Sequence, residues 1–408
     1  MHTPTSPSLV VPTRRRLPVA RMLASAAAVL AVGGLLAADS ASGTVDEPVK
    51  PATDGGRRGV LPPVIVRDLG QEQLETYDGE KLMVPVFEYW RPICGGDPSA
   101  MGVAGLQASI DAHESLMEEG GLEIDATQSL NGFNVIFTVG GTVPPSALPA
   151  IQAVEQYVES LWSDPVTLRI SISFQSLAPG VLGSAGSSLL AVPFTTARTG
   201  LVNGRDASDT VQPRLPTGST MKVRYDGASA AVTNENRVVF PRANVKSTVA
   251  DSSGSDASIT FSTVFPFDFN PADGVNGFSF RDVLVHEVGH AMGFVSASDF
   301  ISGDMTSMDL FRFQTTDGAA DYNPDSIAEF TARPRLVSKN KPDDAHHVEI
   351  GTVEYPMSDG DPYQSSHLRE QPTSLGLMDP AIGPGVTRHP YYFNSRDLAI
   401  LDAIGWDR

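Results

Sequence analysis

The sequence is poor in cysteine and in basic residues. Cys94 is the only cysteine, so no disulfide can form within the chain. The 29 Lys and Arg residues are outnumbered by 48 Asp and Glu, which gives a formal net charge of −19. Phosphate backbones and anionic lipids repel such an acidic chain, so we expect no nucleic-acid partner. Stability has to come from packing and from any bound metal.

Long apolar runs are also missing, with one exception at residues 22–38. Four arginines precede this run, and residues 1–38 contain no acidic residue. A basic start followed by a short apolar run is typical of a signal peptide, so we predict a secreted, extracellular protein with no stable membrane insertion after signal removal. Two alternatives stay open: a twin-arginine signal, interrupted here by Pro18, and a membrane anchor, for which the run is short.

Residues 39–128 give few structural signals. The segment VDEPVKPATDGGRRGVLPP at 45–63 is rich in Pro, Gly and charge, which is typical of a flexible linker. Arg57 and Arg58 within it are either a processing site or an ordinary solvated pair. One amphipathic helix is indicated at residues 103–119. We therefore predict that 39–128 is an N-terminal extension or propeptide.

A folded domain is indicated from residue 129 to the end. Alternating apolar residues predict strands near 133–138 and 166–174, and apolar residues three and four apart predict a helix over 148–161 between them. A strand, a helix and a strand in this order imply a sheet with a helix packed on it, and hence an α+β fold. Further strands are predicted at residues 221–225, 237–240 and 257–265.

The segment SFRDVLVHEVGHAMGF carries the strongest chemical signal. Ser279 and Asp282 match a capping box, which predicts a helix that begins at Phe280. His286 and His290 lie one turn apart on it, so both imidazoles can bind one metal ion. Glu287 is rotated by about 100 degrees from His286, outside the ligand set but close enough to act as a general base. An accidental HExxH would be a solvated helix face, whereas this one has apolar flanks.

A metal site of this kind needs a third protein ligand. Gly293 can end the helix in a left-handed conformation, so the next ligand would come from further along the chain. His367, Asp299, His346 and His347 are the candidates, because imidazole and carboxylate both bind zinc. The ordinary alternative for each is a solvated side chain.

The motif resembles that of the metzincin metalloproteases, HExxHxxGxxH or D. His286, Glu287, His290 and Gly293 match, whereas Ser296 stands at the usual third ligand. A serine hydroxyl is a poor zinc ligand.

The arrangement is similar to the leishmanolysin-like branch, in which the third histidine follows a long insertion. QSSHL at 364–368 precedes LGLMDP at 375–380, although Leu368 stands where that branch tends to have tryptophan. The resemblance implies that His367 is the third ligand and that Met378 forms the floor beneath the histidines.

The resemblance also implies a domain layout. We expect a metzincin-like catalytic domain at 129–408, with a mixed twisted sheet and the active-site helix in an upper subdomain, 129–293. A mostly irregular lower subdomain, 294–408, would contain the methionine turn and a C-terminal helix.

Three further features give weaker predictions. Tyr391 or Tyr392 could stabilise an oxyanion, although burial is the simpler explanation. Asp268, Asn270 and Asp273 are spaced loosely like a Ca²⁺ loop or form a plain turn.

Cys94, in RPICGGDP, distantly resembles the latency segment of matrix metalloproteases. A thiolate there could bind the zinc, but a buried free thiol is the simpler alternative.

These features together predict a secreted zinc-dependent endopeptidase that acts on proteins or peptides. Glu287 would take a proton from the attacking water and deliver it to the leaving amine. The strand at residues 259–265 is a hypothetical edge for substrate pairing. The alternatives are an inactive surface binding module on a protease scaffold and a zinc hydrolase of non-peptide amides or esters.

Overall fold

A computed structural model describes residues 30–31, 64–93, 101–125, 132–300, 303–314, 324, 326–339, 345–351, 353–360 and 363–408. The described residues form a mixed α+β structure around a twisted mixed sheet. The α-helices are α1 Val103–Glu119, α2 Leu148–Glu159, α3 Phe194–Gly204, α4 Arg242–Thr248, α5 Phe280–Ala291, α6 Ile327–Ala332 and α7 Ser395–Ala403.

The largest sheet contains nine of the described strands. Along it they follow the order β1-β2-β3-β7-β11-β6-β5-β4, and β10 also pairs with β7. Strands β5, β6 and β11 run parallel, whereas the strands on either side of them are antiparallel. The bounds are β1 Leu30–Ala31, β2 Ile65–Glu75, β3 Lys81–Pro92, β4 Leu122–Ile124, β5 Asn134–Val139, β6 Thr167–Gln175, β7 Gly183–Pro193, β10 Arg237–Pro241 and β11 Ala257–Ser262.

Smaller sheets complete the structure. They pair β12 with β13, β14 with β16 and β17, and β15 with β8 and β9. Their bounds are β8 Met221–Arg224, β9 Thr233–Glu235, β12 Phe267–Asp268, β13 Phe278–Ser279, β14 Arg312–Gln314, β15 Arg335–Leu336, β16 His346–Ile350 and β17 Val353–Met357.

The hydrophobic pattern explains why the sheet and its helix pack as they do. Leu168, Ile170 and Ile172 alternate along β6 and are buried, as expected of a strand with a core face. Helix α2 buries its apolar stripe, including Ile151 and Val154, and packs against α5 and β5. Helix α2 therefore has both the sheet and helix α5, which carries His286 and His290, as packing partners.

Most of the local predictions are confirmed. The helix predicted at 103–119 has those bounds, and the helix predicted at 148–161 ends two residues early. The strands predicted near 133–138 and 166–174 are β5 and β6, shifted by about one residue. The coarse α+β class is therefore confirmed.

One prediction about the sheet is wrong. The strand proposed as a substrate edge, residues 259–265, corresponds to β11, which ends at Ser262 and is paired with β6 on one side and β7 on the other. Because both of its edges are occupied, it cannot accept a peptide strand. Its apolar and hydroxyl residues alternate as they would on an edge strand, so the sequence pattern could not distinguish the two positions.

The N-terminal part is more structured than its sequence indicates. Strands β2 and β3 form a hairpin, and β3 pairs with β7 over Val86–Pro92. The boundary at residue 128 stays a prediction, but strands on both sides of it share one sheet. Residues 294–408 contain short helices and strands, and the division into subdomains also stays a prediction. Within the described residues, no helix has the length and apolar character to cross a bilayer.

A buried ion pair connects helix α4 and strand β6 through Asp256, which immediately precedes β11. Lys246 on α4 lies 2.7 Å from the Asp256 carboxylate, which also accepts the backbone N–H of Arg169 on β6. Both side chains are almost fully buried, so neither charge has water as a substitute partner.

We predict that Lys246→Ala lowers the free energy of unfolding by about 3–5 kcal/mol, because it leaves the Asp256 carboxylate buried without its cation. Arg237→Ala is the matched control. It removes a partly exposed partner of Asp304 and should cost less than about 1 kcal/mol. Urea unfolding followed by circular dichroism measures both, and equal losses would contradict the prediction.

Candidate metal centre

Helix α5 begins at the predicted residue. Ser279 caps it by accepting the backbone N–H of Asp282, which confirms the capping prediction. The Asp282 carboxylate also accepts the Thr387 hydroxyl and the Arg388 backbone N–H, each at 2.7 Å. The start of the helix is thereby fastened to the segment that follows the methionine turn.

Three histidine side chains converge near the middle of the structure. The Nε2 atom of His290 lies 3.0 Å from Nε2 of His286 and 3.1 Å from Nε2 of His367. All three side chains are at most 2% exposed. The structure therefore brings together two histidines of one helix and a third that is 77 residues further along the chain.

Backbone carbonyls fix which ring nitrogen of each histidine carries the proton. Nδ1 of His286 lies 2.8 Å from the Leu377 oxygen, and Nδ1 of His290 lies 2.6 Å from the Phe294 oxygen. His367 makes the same contact with the Gln364 oxygen at 3.2 Å. A carbonyl oxygen can only accept, so each Nδ1 donates its hydrogen and each Nε2 presents a lone pair.

The three rings are neutral. Burial lowers the pKa of His286 to about 3 and holds the pKa of His290 and His367 well below their usual range. The lone pair of His290 faces those of His286 and His367 about 3 Å away, and such lone pairs repel unless a cation lies between them. The group could hold a metal ion. Nitrogen ligands about 2.0 Å from a tetrahedral ion lie about 3.3 Å apart, which is close to the two separations measured from His290.

Gly293 makes the His290 contact possible. Its φ of 119° turns the chain back after the helix, so that the Phe294 oxygen meets the His290 ring. A side chain at 293 would be strained in this conformation, and its Cβ would lie 2.8 Å from Ile404. The sequence prediction that Gly293 ends the helix is in accord with this geometry.

Asp299 holds the loop that carries His367. Its carboxylate accepts the backbone N–H of Ser365 at 2.8 Å and that of Ser366 at 2.7 Å. Arg312 adds a bond to the Ser365 oxygen at 2.7 Å. Asp299 was an alternative third ligand, but it does not belong to the three-histidine group and instead positions His367.

The other two alternative ligands lie elsewhere. His346 and His347 are on β16, and Nδ1 of His346 accepts from Arg312 at 3.0 Å. His347 belongs to a different group, with Glu349 and Glu354. Neither histidine joins His286 and His290.

Met378 lies against the middle of helix α5. A Cβ added to Gly289 would be 2.7 Å from the Met378 sulfur, so the small residue between the two histidines lets the methionine approach. Asp397 holds this turn by accepting the backbone N–H groups of Leu377 and Met378, at 2.8 and 3.0 Å. The prediction that Met378 forms a packed floor agrees with these contacts.

Glu287 makes an ion pair that the sequence did not reveal. Its Oε2 lies 2.8 Å from Nη2 of Arg91 at the end of β3, and both side chains are buried. Its Oε1 has no hydrogen-bond partner among the described residues. Burial raises the pKa of Glu287, and Arg91 opposes that rise. No local pattern around Arg91 could have indicated this contact, because it spans 196 residues.

The segment around Asp268 and the side chain of Tyr392 were weaker candidates for a Ca²⁺ loop and for an oxyanion contact. Asp268 accepts the backbone N–H groups of Asn270 and Asn276, both at 2.9 Å, as in a plain turn. Asp268 and Asp273 belong to neither of the metal-ligand groups of the described residues. Tyr392 is buried against Tyr157, as the simpler explanation has it.

Tyr391 is exposed, and an oxyanion role for it stays a prediction. Cys94 lies outside the described residues, so its suggested role in latency also stays a prediction.

The chain was also compared with known proteins. No family, curated protein or solved structure matches it. The interpretation of the site therefore depends on its own geometry and chemistry.

We predict that His367→Ala abolishes tight metal binding, because it removes one of three converging nitrogens. His347→Ala is the matched control, since it removes an equally buried histidine from outside the group, and it should keep the metal. Metal content after dialysis against a chelator buffer measures both variants. If His367→Ala keeps the metal and His347→Ala loses it, the metal centre is instead the group of His347, Glu349 and Glu354.

A second prediction concerns the support for His367. Asp299→Ala should weaken metal binding by about 10- to 100-fold, the usual effect of removing a group that orients a ligand. Asp273→Ala, in an exposed turn, should leave affinity unchanged. Competition with a chromogenic zinc chelator gives the two dissociation constants, and an unchanged value for Asp299→Ala would show that the loop does not need this anchor.

Proposed function

We propose that the protein is a secreted, zinc-dependent endopeptidase of the metzincin type, with the leishmanolysin-like ligand arrangement. The observation that carries the proposal is the convergence of three Nε2 atoms from His286, His290 and His367. Glu287 beside them is the second requirement of a hydrolase, because it supplies a carboxylate that can accept a proton.

The histidines would hold the ion through neutral nitrogens. Zinc fits three imidazoles with one open position, which is the pattern of catalytic rather than structural sites. When bound, the ion supplies Lewis acidity, which polarises the scissile carbonyl and activates water at neutral pH. The carbonyls of Leu377 and Phe294 keep His286 and His290 in the tautomer that can bind it.

Glu287 is the general base in this proposal. It follows His286 on the helix but is rotated away from the three nitrogens, so it can face the water without joining the ligand set. Burial raises its pKa towards the range in which a carboxylate takes up and returns a proton efficiently. The proton it accepts from water would pass to the leaving amine.

Secretion and the class of substrate rest on the sequence. The basic, apolar start supports export, and the acidic surface supports solubility outside the cell. Hydrolysis of a non-peptide amide or ester would use the same groups. An inactive binding module would have no need of Glu287, so the carboxylate favours an enzyme.

The test is Glu287→Gln, which keeps shape and removes the proton acceptor. We expect casein hydrolysis to fall by about 10²- to 10⁴-fold, the range for loss of a general base, while metal content stays unchanged. Glu123→Gln on the exposed strand β4 is the matched control and should keep full activity.

The assay should use protein both as purified and after limited trypsin treatment, because the four central side chains are at most 2% exposed. Unchanged hydrolysis by Glu287→Gln would contradict the proposed base. A parallel panel of peptide, amide and ester substrates separates an endopeptidase from the alternative hydrolase.

A further inference from the structure

The β2–β3 hairpin contacts the candidate metal centre through Arg91. Arg91 extends from β3 into the interior and forms its ion pair with Glu287 at 2.8 Å. Arg91 is itself only 2% exposed, so its charge is enclosed together with that of the glutamate. A hydrolase in this state has its proton acceptor engaged and its metal ligands shielded from a polymeric substrate.

The same strand also occupies a sheet edge. Residues Val86–Pro92 of β3 pair antiparallel with Ser184–Leu190 of β7, and Arg91 lies opposite Ala185. Without β3, the N–H and C=O groups on that side of β7 would be unpaired and could accept an extended peptide. The hairpin therefore covers the surface that an extended substrate would need beside Glu287.

The hairpin contributes to two hydrophobic cores. Ile65 and Trp90 belong to a small separate core with Met101, Leu106, Ile110 and Val181. Leu74, Val84, Val86 and Tyr89 belong to the main core. Gly186 on β7 makes room for the indole, since a Cβ there would be 2.5 Å from the Trp90 ring. Trp90 and Arg91 are consecutive, so they point to opposite faces of β3.

We propose that the β2–β3 hairpin is an inhibitory segment held in cis, which blocks the β7 edge and engages Glu287 through Arg91. This inference rests on the proposed function. Displacement of the hairpin frees the sheet edge and the proton acceptor in one movement, because one strand covers both. The hairpin lies within residues 39–128, the predicted propeptide, which would therefore act as an inhibitor through these contacts.

The test substitutes Arg91→Gln in the full chain loaded with zinc. We expect casein hydrolysis to rise about tenfold or more, because the observed rate scales with the fraction of molecules that are open. Arg67→Gln on β2 is the matched control, since Arg67 pairs with Glu88 and Glu114 away from the centre. It should behave like wild type.

A second readout does not depend on catalysis. The rate at which a chelator removes zinc should rise in Arg91→Gln and stay unchanged in Arg67→Gln. Loss of a positive charge near the ion would by itself strengthen cation binding and slow its removal. Faster removal therefore reports improved access to the centre.

Trp90→Leu provides an independent way to loosen the hairpin. It removes the indole from its place above Gly186 on the face opposite Glu287, so the ion pair is left chemically intact. We expect casein hydrolysis and the rate of zinc removal both to rise, as in Arg91→Gln. Arg91→Lys, which keeps the charge, should remain close to wild type in both.

The outcomes separate this inference from the proposed function. Arg91→Gln and Trp90→Leu could instead lower casein hydrolysis and leave the rate of zinc removal unchanged. That result would contradict the proposed inhibition and show that Arg91 is a positioning residue for Glu287. Faster zinc removal without any casein hydrolysis would support closure by the hairpin while contradicting the endopeptidase.

Discussion

The mutual repulsion of three imidazole lone pairs is the constraint on which the rest of the site depends. Each Nδ1 is engaged by a backbone carbonyl, so His286, His290 and His367 cannot relieve the repulsion by exchanging tautomers. Burial prevents relief by protonation, because a charged ring would lose its hydration. A cation among the nitrogens would satisfy all three, so metal binding would also stabilise this part of the fold.

The supports for this arrangement come from distant parts of the chain. Asp299 fixes the loop of His367, and Asp397 fixes the turn whose Leu377 oxygen meets His286. Trp406 donates its indole N–H to the Met292 oxygen at 2.7 Å, at the end of helix α5. These contacts fix the segments that carry the histidines. Small displacements of a ligand would weaken the binding of an ion.

The sequence predicted what is local. Alternation predicted β6, and the capping pattern predicted the start of α5, because short-range periodicity and end chemistry determine these elements. Placing His367 near the other two histidines depended on a resemblance, since spacing alone left Asp299, His346 and His347 open. The Arg91 contact and the interior position of β11 are long-range outcomes of sheet order, which no local pattern encodes.

The bonds from Asp397 to the methionine turn also set an order of assembly. The backbone N–H groups of Leu377 and Met378 have their carboxylate acceptor about twenty residues later in the chain. During synthesis, the floor of the centre therefore cannot form until that acceptor has left the ribosome.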